Sequence, residues 1–365
     1  MHEAFEIGSK SKGSCTQTSD GKHKISLGIL SRKARKTART KPCTELAGRP
    51  RLILETPLAA TRGWSPFGST AGHPQAKRQS MTHVLSFINL KGGVGKTTCA
   101  VAVSELLAEE FNKRVLVIDL DPQTNATISL VSEERWAELD RQGKTIKQLF
   151  QDRLDKTNKF DINTAIVPRV SNLHGGIDKL SLLSSSLGLI ELQDQLAQIS
   201  GANMFAISPV DILATAIRPR LQEFDFVIID CPPNLGIITL NGITISTGYV
   251  IPTIPDILST YGIPQILNRI KAFSQTKGID VRPIGIIVSK YQQQIGLHRS
   301  KMTQLRDDAR NGTLPRVFET VIPQTNKLAE ATDVDASVRT LKQKYGYQGQ
   351  YEAIHSLTKE IMEAC

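Results

Sequence analysis

The chain has 365 residues, 40% of them apolar, and a formal net charge of +10, which is enough apolar material for a substantial core in one large α/β domain or two ordinary ones. No run approaches the roughly 18 uninterrupted apolar residues of a membrane span, so a membrane-spanning class is set aside and a soluble globular protein is expected. The positive excess is confined to the start of the chain: residues 1–80 hold 15 Lys+Arg and 5 Asp+Glu, leaving 30 of each for residues 81–365. Any nucleic-acid contact in the remainder therefore needs a local basic patch. The five cysteines, Cys15, Cys43, Cys99, Cys231 and Cys365, form no pair with zinc or redox spacing, and a reducing cytoplasm is the expected compartment.

Residues 1–80 carry basic clusters such as Arg32-Lys33-Ala34-Arg35-Lys36 and scattered Gly, Pro, Ser and Thr without sustained periodicity, the composition of a disordered extension. Three accounts compete for it: a start assigned too far upstream, a basic tail that holds DNA, and an organelle transit peptide. The first is favoured, because Met81 directly precedes the first strand-like run, Val84 to Asn89, and a single domain over residues 81–365 would lack nothing.

That run leads into Lys91-Gly92-Gly93-Val94-Gly95-Lys96-Thr97-Thr98, followed by a helical pattern over Thr97 to Glu110. Small residues let consecutive backbone N–H groups converge on a phosphate, and the following helix adds its dipole. By position Lys96 reaches the β- and γ-phosphates and the Thr97 hydroxyl ligates Mg²⁺. A plain Gly-rich turn with an exposed lysine would not explain why Gly-Lys-Thr falls between a strand and a helix. Leu90 stands where the ordinary Walker pattern has its first glycine, and Lys91 is an added lysine.

A second strand, Arg114 to Ile118, ends in Asp119-Leu120-Asp121-Pro122-Gln123-Thr124-Asn125, and a third, Phe224 to Ile229, ends in Asp230-Cys231-Pro232-Pro233. Carboxyl ends of parallel strands face the ligand crevice, so Asp119, Asp121 and Asp230 are candidate site carboxylates. Asp230 would hold Mg²⁺ directly or through water. Turn initiation is the competing use of an Asp-Pro pair, and for Asp119 capping is nearly as good an account as function. Later runs at Tyr249 to Ile251 and Ile284 to Val288, with helices around Ile257 to Phe273 and Leu297 to Arg310, complete the alternation of a doubly wound, mostly parallel α/β sheet with helices on both faces, the P-loop NTPase fold.

The string Lys91 to Thr98 resembles the signature of the ParA/MinD family of deviant Walker ATPases, most closely its ParA-type partition members, and the resemblance extends over about residues 82–363. It implies an ATP- and Mg²⁺-dependent homodimer in which Lys91 reaches the partner's nucleotide, Asp121 orients the attacking water, and Gly92, Gly93, Val94, Gly95, Lys96, Thr97, Thr98 and Pro323 contact the nucleotide. It further implies slow, partner-stimulated ATP hydrolysis, nonspecific DNA as a track in the nucleoid, and a ParB-like or cargo adaptor. Gln324 stands where many relatives carry Arg, although Lys327 supplies a second basic position; Arg299, Lys301, Arg306 and Arg310 add a basic helical stretch, which a solvated helix face would explain equally. The last helix, Tyr351 to Met362, has an apolar stripe but an acidic polar face that anionic headgroups would repel, so it is expected to pack on the core and no membrane partner is expected. The alternative function is a metabolic enzyme that uses the same loop and ATP to activate a small carboxylate substrate.

Overall fold

The structure, a computed structural model, describes residues 81–198, 208–331 and 338–365, with the backbone alone at residues 329 and 330. The basic extension expected over residues 1–80 lies outside the described residues, which all fall in the compact unit Gln75–Cys365. The chain runs β1 (His83–Phe87), α1 (Lys96–Glu109), β2 (Val115–Asp119), α2 (Asn125–Leu130), α3 (Glu133–Arg141), α4 (Ile146–Asp155), α5 (Ile162–Ala165), β3 (Ile166–Pro168) and β4 (Leu180–Leu183). It continues α6 (Leu189–Gln198), α7 (Ile212–Leu221), β5 (Phe226–Asp230), α8 (Ile237–Ile245), β6 (Gly248–Thr253), α9 (Ile257–Tyr261), α10 (Ile263–Lys277) and β7 (Arg282–Tyr291). Last come α11 (Gly296–Arg310), β8 (Val317–Pro323), α12 (Asn326–Glu330), α13 (Leu341–Tyr345) and α14 (Gln350–Ala364).

Eight strands form one sheet in the order β3-β4-β2-β5-β1-β6-β7-β8. Every pairing is parallel except that of β3 with β4, a short reversed edge that the sequence pattern does not announce. Double winding is written into the strands residue by residue. Along β2, Val115 and Val117 enter one core while Leu116 and Ile118 enter the other, and along β5 Phe226 and Ile228 part from Val227 and Ile229 in the same way. Alternate side chains of a strand point to opposite faces, so a continuous Val/Ile run needs helices on both sides. Each such side chain, fully buried, contributes about 1.5–3 kcal/mol.

The face holding α1 is closed by α14, whose Ile354, Leu357 and Ile361 are buried in the same core as Leu106 and Leu107 of α1. The terminal stripe thus packs inward as its charge pattern predicts, and no described helix is long and apolar enough to cross a membrane. Glu360 on α14 also accepts the backbone N–H groups of Glu319 (2.8 Å) and Thr320 (2.9 Å), covering donors on the edge strand β8 that would otherwise invite another strand. The helix expected over Ile257 to Phe273 is two helices. Pro264 falls in the first turn of α10, where a missing N–H costs nothing but inside a continuous helix would leave a carbonyl unpaired, so the chain breaks at Gly262.

A buried polar cluster ties the C-terminal region to α1. Glu105 accepts from Lys344 Nζ (2.7 Å), Tyr345 OH (2.5 Å) and Ser171 Oγ (2.6 Å), and the Glu105 and Lys344 side chains are 0% and 2% exposed. Removing one partner of such a pair strands a charge in the core, whereas replacing both does not. Lys344→Met is expected to lower the unfolding free energy in urea by about 3–5 kcal/mol, with Glu105→Gln/Lys344→Met recovering most of the loss; equal stability of the single and double variants would show that the pair is not buried as described.

Candidate nucleotide site

Beyond β1 the chain turns through residues 89–95 into α1. Gly93 and Gly95 have φ of 75° and 78°, values that glycine takes without strain, and a Cβ on Gly92 or Gly93 would meet nothing within 4 Å. The loop therefore borders open space at the N-terminus of a 14-residue helix, the arrangement that receives a phosphate. Three struts hold it. Asn89 Nδ2 donates to Pro252 O (2.8 Å), Lys91 N donates to Asn89 Oδ1 (3.0 Å), and the Ser289 hydroxyl reaches Val94 O (2.7 Å) and Thr253 O (3.1 Å).

Strand register assembles the rest. Asp119 on β2 and Phe87 on β1 both lie opposite Asp230 on β5, so the ends of the three strands share one level beneath the loop. The Thr97 hydroxyl donates to Asp230 Oδ2 at 2.7 Å. Asp119 is saturated by local bonds: it accepts from Thr127 N (2.8 Å), Thr127 Oγ1 (2.7 Å) and Asp121 N (3.0 Å). It shapes the loop from Asp121 to Thr127, the turn duty its sequence context allowed. Asp121 accepts from Gln123 N (3.0 Å), an Asx turn at the Asp-Pro pair, and is 6% exposed.

The electrostatics are those of crowded carboxylates in a dry place. Burial, followed by the charge of Asp119 and opposed by the Thr97 hydroxyl, pushes the Asp230 carboxyl well above the ordinary range. Burial likewise lifts Asp119 to about 7, against the Thr127 hydrogen bonds. Lys96, 6% exposed, is lowered by burial and supported by Asp230 and Asp121; its ammonium donates to Lys91 O at 3.1 Å. Cys231 and Cys99 have thiols raised by burial and are inert core residues in this setting.

Lys91 turns away from its own phosphate loop. Its ammonium lies 3.3 Å from Asp256 Oδ2 and 3.0 Å from Ser259 Oγ, on the short helix α9, whose Ile257, Leu258 and Tyr261 are 57%, 74% and 74% exposed. Asp256, Ser259 and Ser289 have no sequence signature; Ser289 could have been found only as the hydroxyl at the end of an apolar strand. Pro323 closes β8 opposite Tyr291, and Thr98 lies in the first turn of α1. Gln324 N donates to Tyr291 O (3.1 Å) and Gln292 Nε2 to Gln324 Oε1 (2.7 Å). Of the four cations on α11, Arg306 pairs with Glu319 (3.4 Å) and Arg310 with Asp307 (2.9 Å), whereas Lys301 donates to Gln304 and Arg299 to Gln293 O, and neither of these two has an acidic partner among the described residues.

These residues fit a magnesium nucleotide. Asp230 Oδ1 is buried and has no hydrogen-bond partner, and the open glycine loop supplies N–H donors for phosphate. Among the described residues no group of three or more His, Cys, Asp or Glu could hold a metal ion by itself, which accords with Mg²⁺ taking one or two protein oxygens and completing its shell with water and phosphate. Because Ser289 anchors Val94 of the loop, Ser289→Ala is expected to weaken binding of a fluorescent ATP analogue by about tenfold, the value of one to two neutral hydrogen bonds, with little change in the thermal melt; unchanged affinity would show that the strut does not organise the loop.

Residues 82–282 match a family model described as an AAA domain. The chromosome-partitioning ATPase Soj of Thermus thermophilus is 30% identical over 281 residues, covering 76% of this chain and 94% of Soj. The sporulation initiation inhibitor protein Soj of Bacillus subtilis is 29% identical over 255 residues, 69% of this chain and 88% of its own length. Among solved structures, cobyrinic acid a,c-diamide synthase from Mycobacterium smegmatis with bound ATP analogue and magnesium has a TM-score of 0.58 at 25% identity, covering 76% of this chain and 93% of that one. With the glycine loop, the added lysine before it and the three aligned strand ends in place, the chain belongs to the ParA/MinD family of P-loop ATPases.

Proposed function

We propose that this ParA-like ATPase is an ATP-driven dimer switch that binds DNA without sequence preference and is reset by hydrolysis, so as to partition or position DNA or another cargo. ATP with Mg²⁺ occupies the loop of Gly92, Gly93, Val94, Gly95, Lys96, Thr97 and Thr98; Thr97 and Asp230 hold the metal, and Pro323 borders the base. Lys96 neutralises the phosphates from within the subunit, and Asp121 orients the attacking water.

The observation that carries the proposal is the position of Lys91. Its own phosphate loop is already served by Lys96, while Lys91 is held outward by Asp256 and Ser259, next to the exposed apolar residues of α9. A cation supplied across an interface lowers the barrier only when two subunits meet, as an arginine finger does. Exposed Ile257, Leu258 and Tyr261 supply apolar area for that meeting. No strong general base accompanies Asp121, so turnover is slow until an adaptor completes or reshapes the site. Arg299 and Lys301, which have no acidic partner among the described residues, are the DNA contacts on α11; Lys327 on α12 supplies a further basic position.

A second reading keeps the loop and assigns it different chemistry. The likeness to cobyrinic acid a,c-diamide synthase favours a metabolic enzyme that uses ATP to activate a carboxylate. The two separate cleanly in a binding experiment. The switch requires ATP, but not ADP, to raise affinity for arbitrary duplex DNA, Asp121→Ala to prolong the bound state, and Lys96→Ala to abolish it. Arg299→Glu/Lys301→Glu should weaken binding uniformly across sequences and flatten the salt dependence by about two ions. Nucleotide-independent DNA affinity, together with ATP turnover that needs a small carboxylate, would favour the enzyme. Leu258→Asp should abolish ATP-dependent dimerisation in light scattering while leaving monomer nucleotide binding intact; an undiminished dimer would remove α9 from the interface.

A further inference from the structure

The loop that carries Asp121 is held from outside its own strand. β4 runs parallel to β2 with Leu183 opposite Ile118, so Asp121 and Ser185, three and two residues beyond that pair, leave the sheet side by side. Ser185 belongs to the run Ser184-Ser185-Ser186, which by composition is only a polar turn. The structure separates the three hydroxyls. Ser186 Oγ accepts from Gly188 N at 3.2 Å, Ser184 Oγ is buried without a partner, and Ser185 Oγ donates to the backbone carbonyl of Asp121 at 2.7 Å.

That last bond closes a ring. Ser185 N donates to Thr127 Oγ1 (3.0 Å), and the Thr127 hydroxyl donates to Asp119 Oδ2 (2.7 Å). The other oxygen of Asp119 accepts from Asp121 N (3.0 Å), and Asp121 O accepts from Ser185. All four members are buried, where water does not compete for their bonds. Ser185 is the one member from another strand, and it is fixed in turn by Trp136 Nε1, which donates to its carbonyl at 3.0 Å. Both backbone groups of Asp121 are thereby held, and its Oδ1 accepts from Gln123 N (3.0 Å). Oδ2 makes no hydrogen bond among the described residues and is the oxygen open to a water.

The Ser185 hydroxyl is not needed to satisfy Asp121. The Asp121 carbonyl also accepts from Thr124 N at 2.9 Å, so losing the hydroxyl would strand no buried acceptor. What would be lost is the tie between the end of β4 and the Asp121 loop, and a small misplacement of a reacting group is costly in rate. We propose that Ser185 is a positioning residue for ATP hydrolysis, acting through Asp121. The inference rests on the role proposed above for Asp121 and adds the element that holds that residue in place.

The test compares single-turnover ATP hydrolysis by the full chain, with protein in excess, against affinity for a fluorescent ATP analogue. Ser185→Ala should hydrolyse ATP roughly 10- to 100-fold more slowly, with nucleotide affinity and melting temperature unchanged. Ser185→Cys, close in volume and with a weaker donor, should fall between Ser185→Ala and the wild type. Ser184→Ala, which removes the neighbouring hydroxyl that bonds nothing, should hydrolyse ATP at the wild-type rate. Wild-type hydrolysis in Ser185→Ala beside an inactive Asp121→Ala would overturn the inference and leave the role of Asp121 standing. Full activity in Ser185→Cys with loss in Ser185→Ala would assign the effect to packing and overturn it. Parallel losses of hydrolysis and affinity, or an equal loss in Ser184→Ala, would show a general loosening and overturn it too. An Asp121→Ala variant as active as the wild type would remove the underlying reading, and this inference with it.

Discussion

The constraint on which everything else depends is the register of three parallel strands. β5 lies between β2 and β1, and Asp230 faces Asp119 on one side and Phe87 on the other. That alignment brings the glycine loop, the Asp119–Thr127 segment and Asp230 to one level, although Phe87 and Asp230 are far apart in sequence. A slip of one residue would turn Asp230 to the other face of the sheet and separate it from Thr97. The apolar runs of β2 and β5 oppose the slip, because it would exchange every side chain between the two cores that sandwich the sheet. Hydrophobic pattern and phosphate chemistry are thus one specification.

Holding carboxylates together in this way has an electrostatic cost that indicates what the site receives. Asp230 is forced upward in pKa by burial and by its neighbour Asp119, and one of its oxygens has no partner. In a site built only for stability such a group would be replaced by a neutral residue. A divalent cation brings the positive charge that this carboxylate lacks, and the open loop above it brings N–H donors for the anion that accompanies the metal. Asp119 follows a different logic: its three local hydrogen bonds use it to shape the loop bearing Asp121.

Much of this was legible in the sequence because its signals are local. The strand from Phe224 into Asp230, the glycine string before a helix, and the acidic polar face of the last helix each fit within a dozen residues and lead to the observed elements. Long-range polar pairing was not legible. Lys91 and Asp256 are 165 residues apart, and nothing at Asp256 except its place at the N-cap of a short helix separates it from other surface aspartates. Ser289 reads as a strand terminus, and the strut it forms with Val94 exists only once β7 lies beside the loop. The break at Gly262 was available from Pro264, but an apolar pattern running through both helices concealed it. Glu360 reads as a solvated charge until β8 presents bare N–H groups to it.

In the proposed switch Lys91 serves the nucleotide of another subunit while Asp121 serves its own. Mixing two inactive variants, Lys91→Ala and Asp121→Ala, tests this directly, because a mixed dimer contains one site with an intact Asp121 and a lysine donated from across the interface. ATP hydrolysis measured with the adaptor or DNA stimulus that activates the wild type should be negligible for each variant alone and should reappear on mixing, rising to a maximum near equal proportions. A mixture that stays as inactive as its components would contradict this division of labour and return Lys91 to a role within its own subunit.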